Sequence, residues 1–181
     1  MKKYIALATA LVLFTAFTGY AQSLSAEDIK AQLIKEWVRS KAYTADYLNA
    51  MPADKYSFRA VDSIRSFAQQ MLHLAQGNIG LMSNAADQPP PAFAGADLEH
   101  SPGAQHKDSV AYYVSASYDY CIEAVKNIDV KKWGEKKKFF GMEETRFALM
   151  LKTFEHQAHH RGQTTIYIRL QGIKPPQERL F

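Results

Sequence analysis

Residues 143–172 read EETRFALMLKTFEHQAHHRGQTTIYIRLQG. Phe147, Met150, Leu151, Phe154, Ala158 and Ile168 recur at helical spacing, and no proline interrupts them. Glu143 and Glu144 are expected in the first turn, where the helix dipole favours acids. Gly172 supplies a stop, and Pro175 and Pro176 follow. The spacing therefore predicts a helix from about Glu143 to Gln171 with one apolar stripe. His156, His160, Gln163 and Tyr167 lie on its other side. A helix of this kind must bury its stripe against neighbours of the same type.

Three further segments supply those neighbours. The first runs from about Ser25 to Met51, with Ser25 as N-cap, Glu27 and Asp28 in the first turn, and Pro52 after its end. Ile29, Leu33, Trp37, Tyr43, Tyr47 and Leu48 give its period. The second runs from about Val61 to Asn84, with a stripe through Ile64, Phe67, Met71, Leu74 and Met82. The third runs from about Lys107 to Lys126, through Val110, Val114, Ser117, Cys121 and Val125. No stretch alternates as a strand would. The expected fold is all-α, a four-helix bundle with a long connection between helices 2 and 3.

That connection, about Ala85 to Gln105, holds Pro89, Pro90, Pro91, Gly95, Pro102 and Gly103. Irregular loops this long are uncommon in compact domains and often functional, so a lid over a site is one expectation. The stretch from Asn127 to Gly141 carries Lys131, Lys132, Lys136, Lys137 and Lys138 and reads as a solvated basic loop.

The N-terminus reads as an address. Lys2 and Lys3 precede an apolar run over residues 5–17, and Gly19 and Ala21 are small residues placed for cleavage. The run is short for a bilayer-spanning helix. The expected organisation is a signal peptide, residues 1–21, and one bundle domain, residues 22–181, exported to the periplasm or the exterior, with no membrane attachment after cleavage. Removing the two lysines leaves 20 basic against 18 acidic residues, too small a surplus to suggest nucleic acid. A single cysteine, Cys121, excludes a disulfide framework and is expected as a buried apolar side chain.

Chemistry concentrates in the histidines. His156 and His160 are one turn apart on one helix face and can share a divalent ion. His159 points about 60° or more away. The stretch is not an H-E-x-x-H motif, because Gln157 stands where that motif needs glutamate. The candidate third ligand is His73, in the second segment on the side of Gly77 and Gly80. If the two polar faces meet, they form a cleft with room for an ion, and the glycines permit close approach. A solvent-exposed face would carry histidines equally well, so spacing alone leaves both readings open. Three neutral imidazoles suit Zn, Ni, Cu or Fe(II) better than Mg or Ca, and would leave a coordination position open. Binding should weaken below about pH 6.5, the ordinary imidazole range. Gln163 and Glu155 are candidate second-layer partners.

MLHLAQGN around His73 and HQAHHRGQ…YIRLQGIKPP from His156 to Pro176 resemble the DinB-like superfamily across the whole mature chain. The resemblance implies a four-helix bundle, commonly a homodimer, with a divalent metal (Zn, Ni or Fe) on three histidines. Matched by motif, these are His73, His156 and His160. Relatives include metal-dependent thiol S-transferases and thiol-dependent isomerases. The expectation is thus an exported protein whose metal serves a thiol S-transferase or a hydrolase, acting on a small-molecule thiol or electrophile. The alternative is a non-catalytic metal- or ligand-binding bundle. No catalytic base is identified.

Overall fold

The computed structural model describes residues 23–181. The segment read as a signal peptide lies outside the described residues. Four helices carry the fold: α1 (Ala26–Ala50), α2 (Phe67–Ala86), α3 (Lys107–Asn127) and α4 (Arg146–Leu170). Among the described residues, no helix is long and apolar enough to cross a membrane. Helix α2 is the hub and packs along both α3 and α4, while α1 lies mainly against α3.

The helix starts follow from capping chemistry. Ser25 opens α1 with a reciprocal box, its hydroxyl accepting from the Asp28 amide while the Asp28 carboxylate accepts from the Ser25 amide. Helix α2 begins at Phe67 rather than Val61, because Ser66 and Gln69 form the same box six residues later. Val61 and Ile64, placed in the helix by periodicity alone, are exposed. Helix α4 begins at Arg146, with the Thr145 hydroxyl accepting from the Ala148 amide.

Glu143 and Glu144 are therefore not in a helical turn. They belong to a hairpin that the sequence reading missed, β1 (Lys136–Phe139) against β2 (Met142–Thr145), joined by Phe140 and Gly141. Lys137 pairs with Glu144 and Lys138 with Glu143 in the register, so opposite charges face each other across the ladder. Lys136, Lys137 and Lys138 of the basic run form one strand of this hairpin, and Lys131 and Lys132 lie in a short 3-10 helix before it (Val130–Lys132).

Arg146 anchors the hairpin. Its buried guanidinium donates to Glu135 (2.9 Å), to Asp87 (2.5 Å) and to the carbonyl of Ala85 (2.8 Å). One side chain thereby joins the start of α4, the approach to β1 and the end of α2. Main-chain bonds from Arg146 to Glu135 and from Phe147 to Trp133 add to the root.

The core is apolar around Trp37, Phe67, Met71 and Met82, all with no exposure. Tyr118 and Phe154 set their rings edge-on to Trp37. Cys121 lies in this core as expected, and burial pushes its thiol well above the usual range. The buried face of α4 is more polar than its apolar stripe predicted. Thr153, Gln157, Arg161 and Thr164 are buried, whereas Leu151 is exposed. Thr153 and Thr164 donate to the main-chain carbonyls of Leu149 and Arg161, and the two longer side chains join a network. Tyr118 donates to Gln157 (2.7 Å), Arg161 donates to Gln157 (2.7 Å) and Thr44 (3.3 Å), and the Arg161 guanidinium covers the Tyr43 ring at 4.6 Å.

Candidate metal centre

The polar faces of α2 and α4 meet. His73 comes from α2 and His156 and His160 from α4, with one ligand nitrogen from each within 4.8 Å of the others. Ring centroids are 4.3 Å apart for His156–His160, 4.6 Å for His73–His160 and 5.3 Å for His73–His156. Two nitrogens on one tetrahedral ion with bonds of about 2.1 Å lie about 3.4 Å apart.

Close approach depends on Gly77. A Cβ on this residue would lie 2.0 Å from Cε1 and 2.5 Å from Nδ1 of His156, so the imidazole occupies the space a side chain would need. Gly80, one turn on, differs, since a Cβ there would meet nothing within 4 Å. The Nδ1 atom of His156 is buried and, among the described residues, has no hydrogen-bond partner. An unsatisfied buried nitrogen is costly in a bare protein.

Second-layer groups orient the other two rings. Glu99 Oε1 lies 2.7 Å from His73 Nδ1, which leaves Nε2 of that ring for a ligand. Burial raises the Glu99 carboxyl, but hydrogen bonds from Arg65 and His73 outweigh it and hold it below its ordinary range. Gln70 lies 2.9 Å from His160 Nδ1 and also contacts Gln163, whose amide reaches His159 at 2.7 Å. As a donor to Nδ1, the Gln70 amide selects the tautomer with hydrogen on Nε2. With its oxygen toward Nδ1 it selects the opposite tautomer and bares Nε2 for a metal. Metal binding and the amide orientation of Gln70 are thus linked.

Of the expected second-layer residues, Gln163 acts through Gln70, and Glu155 is exposed and makes no hydrogen bond to the cluster. His159 is exposed, outside the cluster. Gln157 is wholly buried in the core network, so its place in the sequence motif is structural. Glu99 and Gln70 were missed. Gln70 was legible in principle, being three residues before His73 on one helix. Glu99 was not, because the long connection brings it back over α2. That connection is tied down at several points. Gln69 and Gln105 donate to the Glu99 carbonyl, Gln76 donates to Ala96, and Tyr120 donates to Gln88. It supplies a group to the site instead of hanging over it as a free flap.

Burial, with repulsion from neighbouring histidines second, pushes His156 down to about 4 and His160 down to about 3. Both stay neutral far below the ordinary imidazole value, so proton competition with a metal begins at lower pH than the sequence suggested. The unfolded chain takes up protons near pH 6.5 while the folded one does not. Stability without metal is therefore full above about pH 6.5 and declines as pH falls toward 4. Thermal melts of chelator-treated protein across that range should show a steeper fall than those of a His156→Asn/His160→Asn variant. Parallel slopes would contradict the burial.

Three imidazoles converging between two helices define a helical bundle whose side chains could hold a metal ion. The sequence model of the DinB family matches residues 21–179, and the chain belongs to that family. Two solved structures share the fold. A DinB-like protein from Bacillus cereus aligns with a TM-score of 0.69 at 17% identity, covering 81% of this chain and 95% of its own. A DinB-like protein from Bacillus subtilis aligns at 0.60 and 16% identity, covering 83% and 96%. At such identities the likeness is one of fold. Among curated proteins, none matches the sequence.

Proposed function

We propose that His73, His156 and His160 bind one divalent transition ion (Zn, Ni or Fe) and that the ion activates a small-molecule thiol or water for transfer or hydrolysis. The observation that carries this reading is the convergence of the three ligand atoms across α2 and α4. The space reserved by Gly77 and the unsatisfied Nδ1 of His156 support it. Three neutral ligands on a four-coordinate ion leave one position open, and an ion so held lowers the pKa of a bound thiol or water. Glu99 orients His73 and is committed to Arg65 (2.5 Å), so it is not a free base. That commitment favours a second reading, a non-catalytic metal- or ligand-binding bundle.

Elemental analysis and a zinc titration against a competing chromophoric chelator test the metal. One ion per chain, lost in His160→Ala, is expected; absence of stoichiometric binding after loading would sink the proposal. Cobalt substitution then separates the two readings. A visible spectrum that shifts on adding a thiol, with turnover of a thiol-plus-electrophile pair, supports catalysis, and an unresponsive spectrum supports the binding bundle. Glu99→Gln should weaken zinc binding about tenfold, the lower end of the range for second-layer ligands. The chelator titration reads this directly, and an unchanged affinity would remove Glu99 from the site. We also propose export with cleavage after Ala21, on the strength of the N-terminal pattern. N-terminal sequencing of the secreted chain, expected to begin at Gln22, tests it.

A further inference from the structure

Two cavities flank the centre. One, of about 790 Å³, has a mixed lining that includes Arg59, Arg65, Glu99, Ile64 and Ile166, with none of the three histidines in its wall. The other, of about 640 Å³, has His73 and His156 in its wall. His73 and His156 therefore face the second space, while His160 lines neither, and the chemistry of that space decides what can reach those two rings. Gly80 and Leu81 line it from α2 and Leu149 from α4, with Phe139, Phe140 and Met142 of the hairpin across from them. Its size falls within the range of small-molecule sites, which are apolar with a few convergent polar groups.

The hairpin turn adds an independent observation. Phe140 sits at φ 48, a left-handed conformation in which a bulky side chain is uncommon and which two-residue turns usually give to Asn, Asp or Gly. Phe140 is 86% exposed and Met142 61% exposed. The backbone thus holds an aromatic ring in water, in an unfavourable conformation, beside an apolar cavity. The two-residue turn requires positive φ at both Phe140 and Gly141, and it spends the first of these positions on an aromatic residue next to the cavity.

We propose that this cavity receives the apolar part of the molecule that completes the centre, an aromatic or acyl-chain compound with one electron-pair donor directed at His73 and His156. Phe140 and Met142 close over that part. The inference rests on the metal reading for the donor end and on the cavity alone for the apolar end.

The test is titration of the purified protein, with and without zinc, using the neutral fluorophore N-phenylnaphthylamine. Saturable binding of one probe per chain is expected in both states. Gly80→Phe should weaken it at least tenfold while zinc stoichiometry and helical circular dichroism stay as in the wild type, because a side chain at this position enters open space. Phe140→Ser, on an exposed ring, should weaken it severalfold and covers the case in which Gly80→Phe fails to fold. Absence of saturable binding to folded wild type, or unchanged affinity in both variants, overturns the inference. So does binding that falls as protein concentration rises, which would assign the surface to a second copy of the chain. Zinc bound without probe sinks the cavity inference alone. A protein that binds the probe but takes up no zinc when loaded sinks the metal reading and leaves the apolar site standing.

Discussion

Gly77→Ala is expected to lower zinc affinity by about a hundredfold or more while changing folding stability little. The new Cβ would fall 2.0 Å from a ring atom of His156, so one of the two must move. The ring is the end of a side chain with two rotatable bonds, and turning it away removes one of three ligands. Helix propensity acts in the opposite direction, since alanine in a helix interior is favoured over glycine by about 0.5–1 kcal/mol. The loss should thus appear in the chelator titration and be nearly absent from a denaturant melt. Gly80→Ala is the paired control. It has the same propensity gain and no contact within 4 Å, so it should raise stability by about 0.5–1 kcal/mol with zinc affinity intact. Equal zinc binding in the two variants would show that His156 does not depend on the space at Gly77.

Zinc itself should produce the largest thermal effect. An ion that binds only the folded chain stabilises it by about 4 kcal/mol at a thousandfold excess over its dissociation constant. For a domain of this size each kcal/mol moves the melting temperature by about 2–4 °C. Saturating zinc should therefore raise the midpoint by roughly 10 °C, and a chelator should reverse the shift. The His73→Ala, His156→Ala and His160→Ala variants should each lose most of it. A midpoint indifferent to zinc in the wild type, or a shift retained in all three variants, would mean that the ion sits elsewhere or nowhere.

The helices were legible because periodicity and stop signals agreed. Pro52 follows α1, Gly172 follows α4, and the chain between them carries clear 3.6-residue stripes. The His156–His160 pair was legible for the same reason, since spacing alone places both rings on one face. The hairpin was not. Its strands read KKKF and MEET, with no apolar alternation, and its turn lacks the usual Asn or Asp. What holds it is lysine facing glutamate across the ladder and the Arg146 anchor below, both of which need the partner strand to be seen. The buried polar face of α4 was hidden in a similar way. Gln157 and Arg161 look solvent-facing until Tyr118 and Thr44 arrive from other helices to bind them. Glu99 is the extreme case, a single acid in a proline-rich stretch whose value depends on where the loop lands.

Arg146 is both the first residue of α4 and the anchor of the hairpin, so the small sheet has no hinge at its root. It behaves as a stiff extension of the rod that bears His156 and His160. Freedom is left to the exposed ring of Phe140 in the turn, whose rotamers interchange in picoseconds to nanoseconds, not to domain-scale motions of microseconds to milliseconds. A ligand entering the apolar cavity as proposed would meet one exposed aromatic ring on an anchored frame, so its arrival should be limited by diffusion and fit.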